Sequence, residues 1–235
     1  MLSVASYNIH QCVGRDGRCD PGRIAGVIRE MGADVIGLQE VSSQPDTDAE
    51  AHQLNYLAEQ TGLEAIAGTT LTRGNAEYGN ALLTRAPILE VRRLDLSFPG
   101  REPRGALDVD LAVDEKPVRV IVTHFGLSAA ERRQQADGLL DALDRIKRPL
   151  TLVLLDLNEW LPGSRLTHLL NRRLGRVPAP RTFPSGFPLL PLDRIWICPN
   201  ETLLTLDTHR TSLSRLASDH LPVSASLKVS SSASI

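Results

Sequence analysis

Two hydrophobic rhythms alternate along this chain. "SVASYNI" at the start reads as a strand, and "ADVIGLQEV" as a second strand buried on both faces. Between them, Ile24, Val27, Ile28 and Met31 of "DPGRIAGVIREMG" have helical spacing. Asp20 is placed to cap that helix, Pro21 to occupy its first position and Gly32 to stop it. A further helix is expected over about residues 48–61, ending near Gly62. From residue 64 to 124 the pattern predicts strands only: "EAIAG", "GNALLTR", "ILEVRRL", "ALDVDLAV" and "VRVIVTHF". Leu107, Val109, Leu111 and Val113 alternate with other positions, which predicts one solvent-facing side for that strand. "SAAERRQQADGLLDALDRIK" opens a helix with a capping-box pair, Ser128 and Glu131. "LTLVLLD" after Pro149 is a buried strand, followed by a short helix near residues 164–173 and a Pro-rich loop. "DRIWIC", "ETLLTL" and "PVSASLKV" close the series as strands.

Helix and strand alternate at first and then give way to a meander of strands, with no linker and no repeat. That order predicts an α/β protein with two mixed β-sheets packed face to face and helices outside. A single domain is expected over residues 1–229, with a frayed Ser-rich tail at 230–235. The 235 residues, 42% hydrophobic and 23% charged, suit one large core. No apolar run has membrane-spanning length, and "MLSVASYNIH" lacks the basic and long apolar regions of a signal peptide, so a cytoplasmic location is expected. Cys12, Cys19 and Cys198 have no zinc-type spacing and are expected as reduced thiols.

The formal net charge of −2 argues against a protein that grips long stretches of nucleic-acid backbone. Arginine supplies 23 of the 26 basic residues, and arginine can clamp phosphate bidentately. The candidates for a basic rim are Arg92 and Arg93, Arg101 and Arg104, and the set Arg172, Arg173, Arg176 and Arg181; solvated helix or strand faces are the plain alternative for the first and last groups.

Candidate chemistry gathers at strand ends. Strands run out in Asn8, Glu40, His124 and Asp156 with Asn158; Asp193 precedes "RIWIC", and Asp219 and His220 precede "LPVSASL". Each alone has an ordinary explanation as a turn residue or a structural histidine. Together they stand where open α/β sheets bind ligands. Residues i and i+2 of a strand share a face, so Asp156 and Asn158 are expected on the same side. Asparagine, carboxylates and histidine without zinc spacing point to a hard cation held by oxygen, Mg²⁺ or Mn²⁺. Such a cation stabilises charge on a phosphoryl group, and a histidine beside an aspartate supplies an oriented cation of its own.

The segments "YNIH", "IGLQEV", "YGNALLTR", "VTHFGL", "LLDLNEW", "LDRIWI" and "SDHLPV", in that order from residue 7 to residue 223, resemble the endonuclease/exonuclease/phosphatase superfamily, the deoxyribonuclease I-like fold. The resemblance implies a four-layer α/β sandwich and metal-dependent hydrolysis of phosphoesters. It implies Glu40 as principal metal ligand, with Asn8 and Asp219 supporting the metal. Asp156 would orient or activate the water, and Asn158 would hold the phosphate. Asp219 would orient His220, which stabilises the transition state. His124 would bind phosphate, and Asp193 would assist the leaving group or orient a catalytic neighbour. Asn80 and Arg104 are further candidates for phosphate contact, Arg104 within "EPRGAL" of a small bacterial subgroup. One position departs: the family usually has glycine before the catalytic acid, and here it is Leu155, which is expected to point away into packing. The leading expectation is a phosphodiesterase acting by in-line attack of water on small or lipid-borne phosphoesters rather than duplex DNA, with no stable membrane insertion. The alternatives are a structure-specific nuclease of the same family and a non-catalytic binding module that keeps the fold.

Overall fold

The computed structural model describes residues 1–43, 52–161 and 163–229. The element order is β1 (Leu2–Asn8), α1 (Pro21–Met31), β2 (Val35–Ser43), α2 (Gln53–Thr61), β3 (Glu64–Arg73), β4 (Ala76–Thr84), β5 (Ile88–Asp95), β6 (Gly105–Val113) and β7 (Lys116–His124). It continues with α3 (Ala129–Arg145), β8 (Leu150–Asp156), α4 (Arg165–Leu174), β9 (Asp193–Cys198), β10 (Leu203–Thr208), α5 (Ser214–Ala217) and β11 (Val223–Leu227). The expected elements are all found, and the residues 48–51 expected to open α2 lie outside the described residues, as does the tail at 230–235.

The strands form two mixed sheets, ordered β10-β11-β1-β2-β4-β3 and β5-β6-β7-β8-β9. Leu82, Val109, Val122, Leu154 and Ile195 belong to the core between them. Ile24, Ile28, Ile36, Leu38 and Leu57 pack α1 and α2 on the outer face of the first sheet. Ile121, Leu139, Val153, Leu170 and Trp196 pack α3 and α4 on the outer face of the second. The result is a four-layer α/β sandwich.

Local signals explain the helix ends. The Asp20 side chain accepts from the Arg23 N–H, and Gly32 closes α1 in the left-handed region at φ 57°. Both halves of the Ser128–Glu131 capping box are formed. No glycine ends α3. Instead Arg119, from β7, donates to the carbonyls of Ala142 and Ile146 at 3.1 and 2.7 Å.

That arginine also corrects an expectation. The alternating strand β6 has no wet face: Asp108 and Asp110 are 1% and 2% exposed. Arg119 grips Asp108 with two bonds of 2.9 and 2.6 Å, Arg92 reaches both aspartates, and Arg148 holds Asp110 at 2.6 Å. The polar side is covered by cations rather than by water, which is how a buried carboxylate is tolerated. Arg92 is therefore not part of a basic rim.

Two parallel pairs, β1–β2 and β7–β8, occupy the middle of the sheets. Their carboxyl ends come together because the sheets approach closely at Gly37. A Cβ there would lie 2.9 Å from the side chain of Leu154, so a larger residue would wedge β2 away from β8.

Candidate active site

The inward faces of the strands form the apolar inter-sheet core, and at one end of it the same faces turn polar. Val4, Val122, Leu154 and Ile195 point into that core. Strand alternation then carries Asn8, His124, Asp156 and Asp193 inward beyond it. All four are at most 4% exposed. Leu155 and Leu157 alternate outward into the layer of α3 and α4, as expected for the departure from glycine.

Glu40 gets there differently. Alternation would send it outward with Ile36 and Leu38. A bulge between Leu38 and Val41, with Glu40 in the left-handed region at φ 58°, turns its carboxylate toward β1. A non-glycine residue in that conformation costs about 1–3 kcal/mol and tends to mark a functional position.

The amide of Asn8 ties the cluster together. Its Nδ2 donates to Glu40 Oε1 at 2.9 Å and to Asp156 Oδ2 at 2.8 Å. Its Oδ1 accepts from the His10 N–H at 3.0 Å. Asn8 thus spaces the two carboxylates and offers its amide nitrogen, not its oxygen, to them. Burial raises the pKa of the Glu40 carboxyl, the Asn8 bond opposes that shift, and Asp156 adds to it.

The two histidines face the same Asp156 oxygen in different charge states. His220 Nδ1 is 2.8 Å from Asp193 Oδ2, and its Nε2 is 3.9 Å from Asp156 Oδ2. Burial pushes the imidazole toward neutrality, but Asp193 and Asp156 overcome it and raise its pKa to about 10. His124 Nε2 is 3.5 Å from Asp156 Oδ2. Here burial wins and lowers the pKa to about 3, so the ring is neutral. Arg104 Nη1 lies 3.0 Å from its Nδ1. A guanidinium can only donate, and the Asn158 Nδ2 lies 2.8 Å from Nε2 on the other side of the ring, so His124 stands between two donor groups.

Asn158 joins Asp156, but through a turn rather than strand alternation. β8 ends at Asp156, Asn158 stands at φ 51°, and its N–H bonds Asp156 Oδ1 at 3.0 Å. Its side-chain amide also donates to the Phe125 carbonyl at 2.9 Å.

Three expected placements differ. Asp219 does not touch His220: adjacent side chains diverge, and the Asp219 carboxylate faces His10 at 3.7 Å and the Ser218 hydroxyl at 3.4 Å. Asp193 orients His220 in its stead, and Asp219 is outside the cluster of carboxylates. Asn80 spends its amide on the Gly105 carbonyl at 3.0 Å, tying β4 to β6. Arg104 is not a free clamp, since it supports His124 with one arm and meets Glu102 at 3.2 Å with the other.

Other residues at the site were not foreseen. The Ser218 hydroxyl donates to the Asn8 carbonyl at 2.8 Å and accepts from the His220 N–H at 3.2 Å, which pins the histidine loop to the end of β1. Phe183 packs on the His220 ring at 4.9 Å between centroids, and Trp160 packs edgewise on Phe183 at 6.1 Å. The signal available for these two was their type: aromatic residues make up only 4% of the chain, and both fall in loops beside motif residues.

The donor set fits a hard divalent cation. Glu40, His124 and Asp156 each bring one candidate atom within 4.8 Å of the others. The two carboxylates of this group supply the oxygen that Mg²⁺ and Mn²⁺ prefer. Glu40 has no ion-pair partner among the described residues. The second group, Asp156, Asp193 and His220, is held by the charge on His220 and does not need a metal.

Comparisons with known proteins agree with this geometry. Residues 5–220 match the profile of the Endonuclease/Exonuclease/phosphatase family. The Escherichia coli (strain K12) protein YbhP is 31% identical over 254 residues, covering 96% of each chain. An endonuclease/exonuclease/phosphatase structure from Bacteroides vulgatus superposes with a TM-score of 0.78 at 18% identity, covering 97% of this chain and 99% of that one. A mannosyl-6-phosphatase from Bacteroides thetaiotaomicron VPI-5482 superposes with a TM-score of 0.73 at 18% identity, covering 97% and 100%. These last two likenesses concern the fold. Matched over nearly its whole length by sequence, and carrying the motifs at the carboxyl ends of the central strands, this chain belongs to the Endonuclease/Exonuclease/phosphatase family.

Proposed function

We propose that the protein is a Mg²⁺- or Mn²⁺-dependent phosphodiesterase acting on small or lipid-borne phosphoesters. The observation that carries the reading is the charge arrangement around Asp156. Its Oδ2 receives the Asn8 amide at 2.8 Å and stands 3.5 and 3.9 Å from a neutral and a charged histidine, while the neighbouring Glu40 carboxylate lacks a cation.

Glu40 and Asp156 would hold the metal, which would act as a Lewis acid toward a phosphoryl oxygen. The remaining work falls to the chain. Asp156 orients the attacking water and can take its proton. His220, kept charged by Asp193, donates a hydrogen bond to charge that develops on the phosphoryl oxygens. His124 and Asn158 position the phosphate. Arg104 acts through His124 by holding its ring in place.

The flank of the site bears on substrate. Trp160 and Phe183 extend apolar surface away from His220, and Leu161, Phe187 and Leu189 nearby in the same two loops are exposed. Such a flank suits an apolar leaving group better than a duplex backbone, which is gripped by rows of cations. No described helix is long and apolar enough to cross a membrane. The test is a metal-dependent screen of short phosphodiesters, phospholipid headgroups, sugar phosphates, and nicked and abasic duplexes, at low and physiological salt. Metal-dependent turnover of small or lipid-borne esters is expected. Duplex cleavage that falls steeply with salt, beside feeble turnover of every small ester, would make the protein a nuclease.

A further inference from the structure

We infer that the groove beside α4 is a second binding site, separate from the catalytic carboxylates, for a small ligand carrying several phosphate groups. The inference does not depend on the reaction proposed above. The groove has a volume of about 990 Å³ and runs past Gly163, Ala179 and Pro191.

Its charge is one-sided. Arg165, His168, Arg172, Arg176 and Arg194 all line it, and no carboxylate lines it among the described residues. Arg165, His168 and Arg172 stand at i, i+3 and i+7 of α4, so one helical face supplies three of the five. The other side of α4 is apolar and packs inward through Leu170 and Leu174. Arg173, which points elsewhere, pairs with Asp144. Arg165, Arg172 and Arg176 have no side-chain hydrogen bond or ion pair of this kind among the described residues.

Arg194 turns a basic surface into a built site. It is the second residue of β9, only 8% exposed, and it reaches the groove from the sheet beneath. Its Nε is buried with no hydrogen-bond partner. The nearest acid in the chain, Asp193, points to the opposite face of the strand and is bound to His220. A buried guanidinium without a counter-ion is costly, and burial accordingly pushes its pKa below the usual arginine value. By contrast the buried Arg119 is bidentate on Asp108, so this chain pairs its interior arginines where only packing is at stake.

The chemistry of the occupant follows. Four guanidinium groups that present planar donor pairs match phosphate oxygens. Four such groups together match several phosphates better than one. They are also confined to that groove rather than strung along the surface, which favours a compact oligophosphate over a long nucleic-acid strand.

The test is calorimetric titration of the purified full chain, without added divalent metal, with inorganic tripolyphosphate, inorganic phosphate and a single-stranded oligonucleotide. Tripolyphosphate is expected to bind more tightly than phosphate and to weaken with added salt. In Arg172→Gln/Arg176→Gln, where both positions are exposed and folding is safe, its affinity should fall roughly tenfold or more, with hydrolysis of a small ester unchanged. Arg194→Gln should show the same loss, and His220→Ala should bind as the wild type does. Wild-type tripolyphosphate affinity in the folded double variant would overturn the proposal. So would a loss of binding in His220→Ala, which would place the ion in the catalytic cleft. Binding of the oligonucleotide alone, abolished by the same arginine changes, would overturn the assignment to a small ligand.

Discussion

Two clusters of carboxylates among the described residues have opposite charge balance. On β6, Asp108 and Asp110 are matched by Arg92, Arg119 and Arg148. Burial alone would raise both carboxyl pKa values, but the arginine contacts more than cancel it and hold them below the ordinary range. At the ends of β2 and β8, Glu40 and Asp156 share the Asn8 amide, Asp156 also takes the Asn158 N–H and faces two histidines, and the Glu40 pKa is raised. Asp108, Asp110 and Asp156 are all buried, and Glu40 is half-buried. Only the second lacks its full complement of cations, so only the second has a use for a bound one. The comparison separates a structural network from a site better than burial does.

The structural network should break hardest. Arg119→Met leaves Asp108 buried without its bidentate partner and uncaps α3, and should cost about 3–5 kcal/mol in chemical denaturation. Catalytic constants of the folded fraction should be unchanged. A loss below about 1 kcal/mol would mean that Arg92 alone suffices.

His220→Ala should strike catalysis as well as stability. Removing a donor to transition-state charge lowers kcat by about 10²–10³ with little change in KM, and the buried Asp193 left without its cation weakens the fold. A drop of about tenfold or less, with chemistry rate-limiting, would give His220 a structural role.

Leu155→Gly should destabilise by about 3 kcal/mol, because Leu155 is fully buried among Val153, Leu157 and Leu170. Since its side chain points away from Asp156, kcat should not rise; a rise would show that leucine displaces the catalytic strand.

The smallest effect is an acid-side difference between the clusters. Asp108 and Asp110 have depressed folded-state pKa values, so their stabilisation is present above the ordinary carboxylate pKa and is lost as pH falls toward the depressed values. The stability gap between wild type and Arg119→Met should therefore narrow as pH falls below about 4. A gap that stays constant across that range would assign the loss to the α3 cap instead.

Much of this was legible in the sequence, for identifiable reasons. Strand phase carried Asn8, His124, Asp156 and Asp193 inward because alternation is a property of the backbone, and the capping signals at Asp20, Gly32 and Ser128 act locally. The misses were long-range. The burial of Asp108 and Asp110 depends on arginines 11 to 38 residues away. The partner of His220 is Asp193, 27 residues upstream, and not its neighbour Asp219. The left-handed turn of Glu40 is a bulge, which apolar periodicity does not encode. Arg194 looked like any strand residue until its buried Nε was seen to lack a hydrogen-bond partner.

The central claim is that Glu40 lacks a cation because a metal supplies it. Calorimetric titration of wild type and Glu40→Gln with Mn²⁺ tests this directly, with circular dichroism to show that the fold is kept. The account predicts that the variant binds Mn²⁺ at least about tenfold more weakly, with activity lost in parallel, because an amide oxygen carries no charge to the site. Wild-type Mn²⁺ affinity in Glu40→Gln would contradict it and remove Glu40 from any metal site.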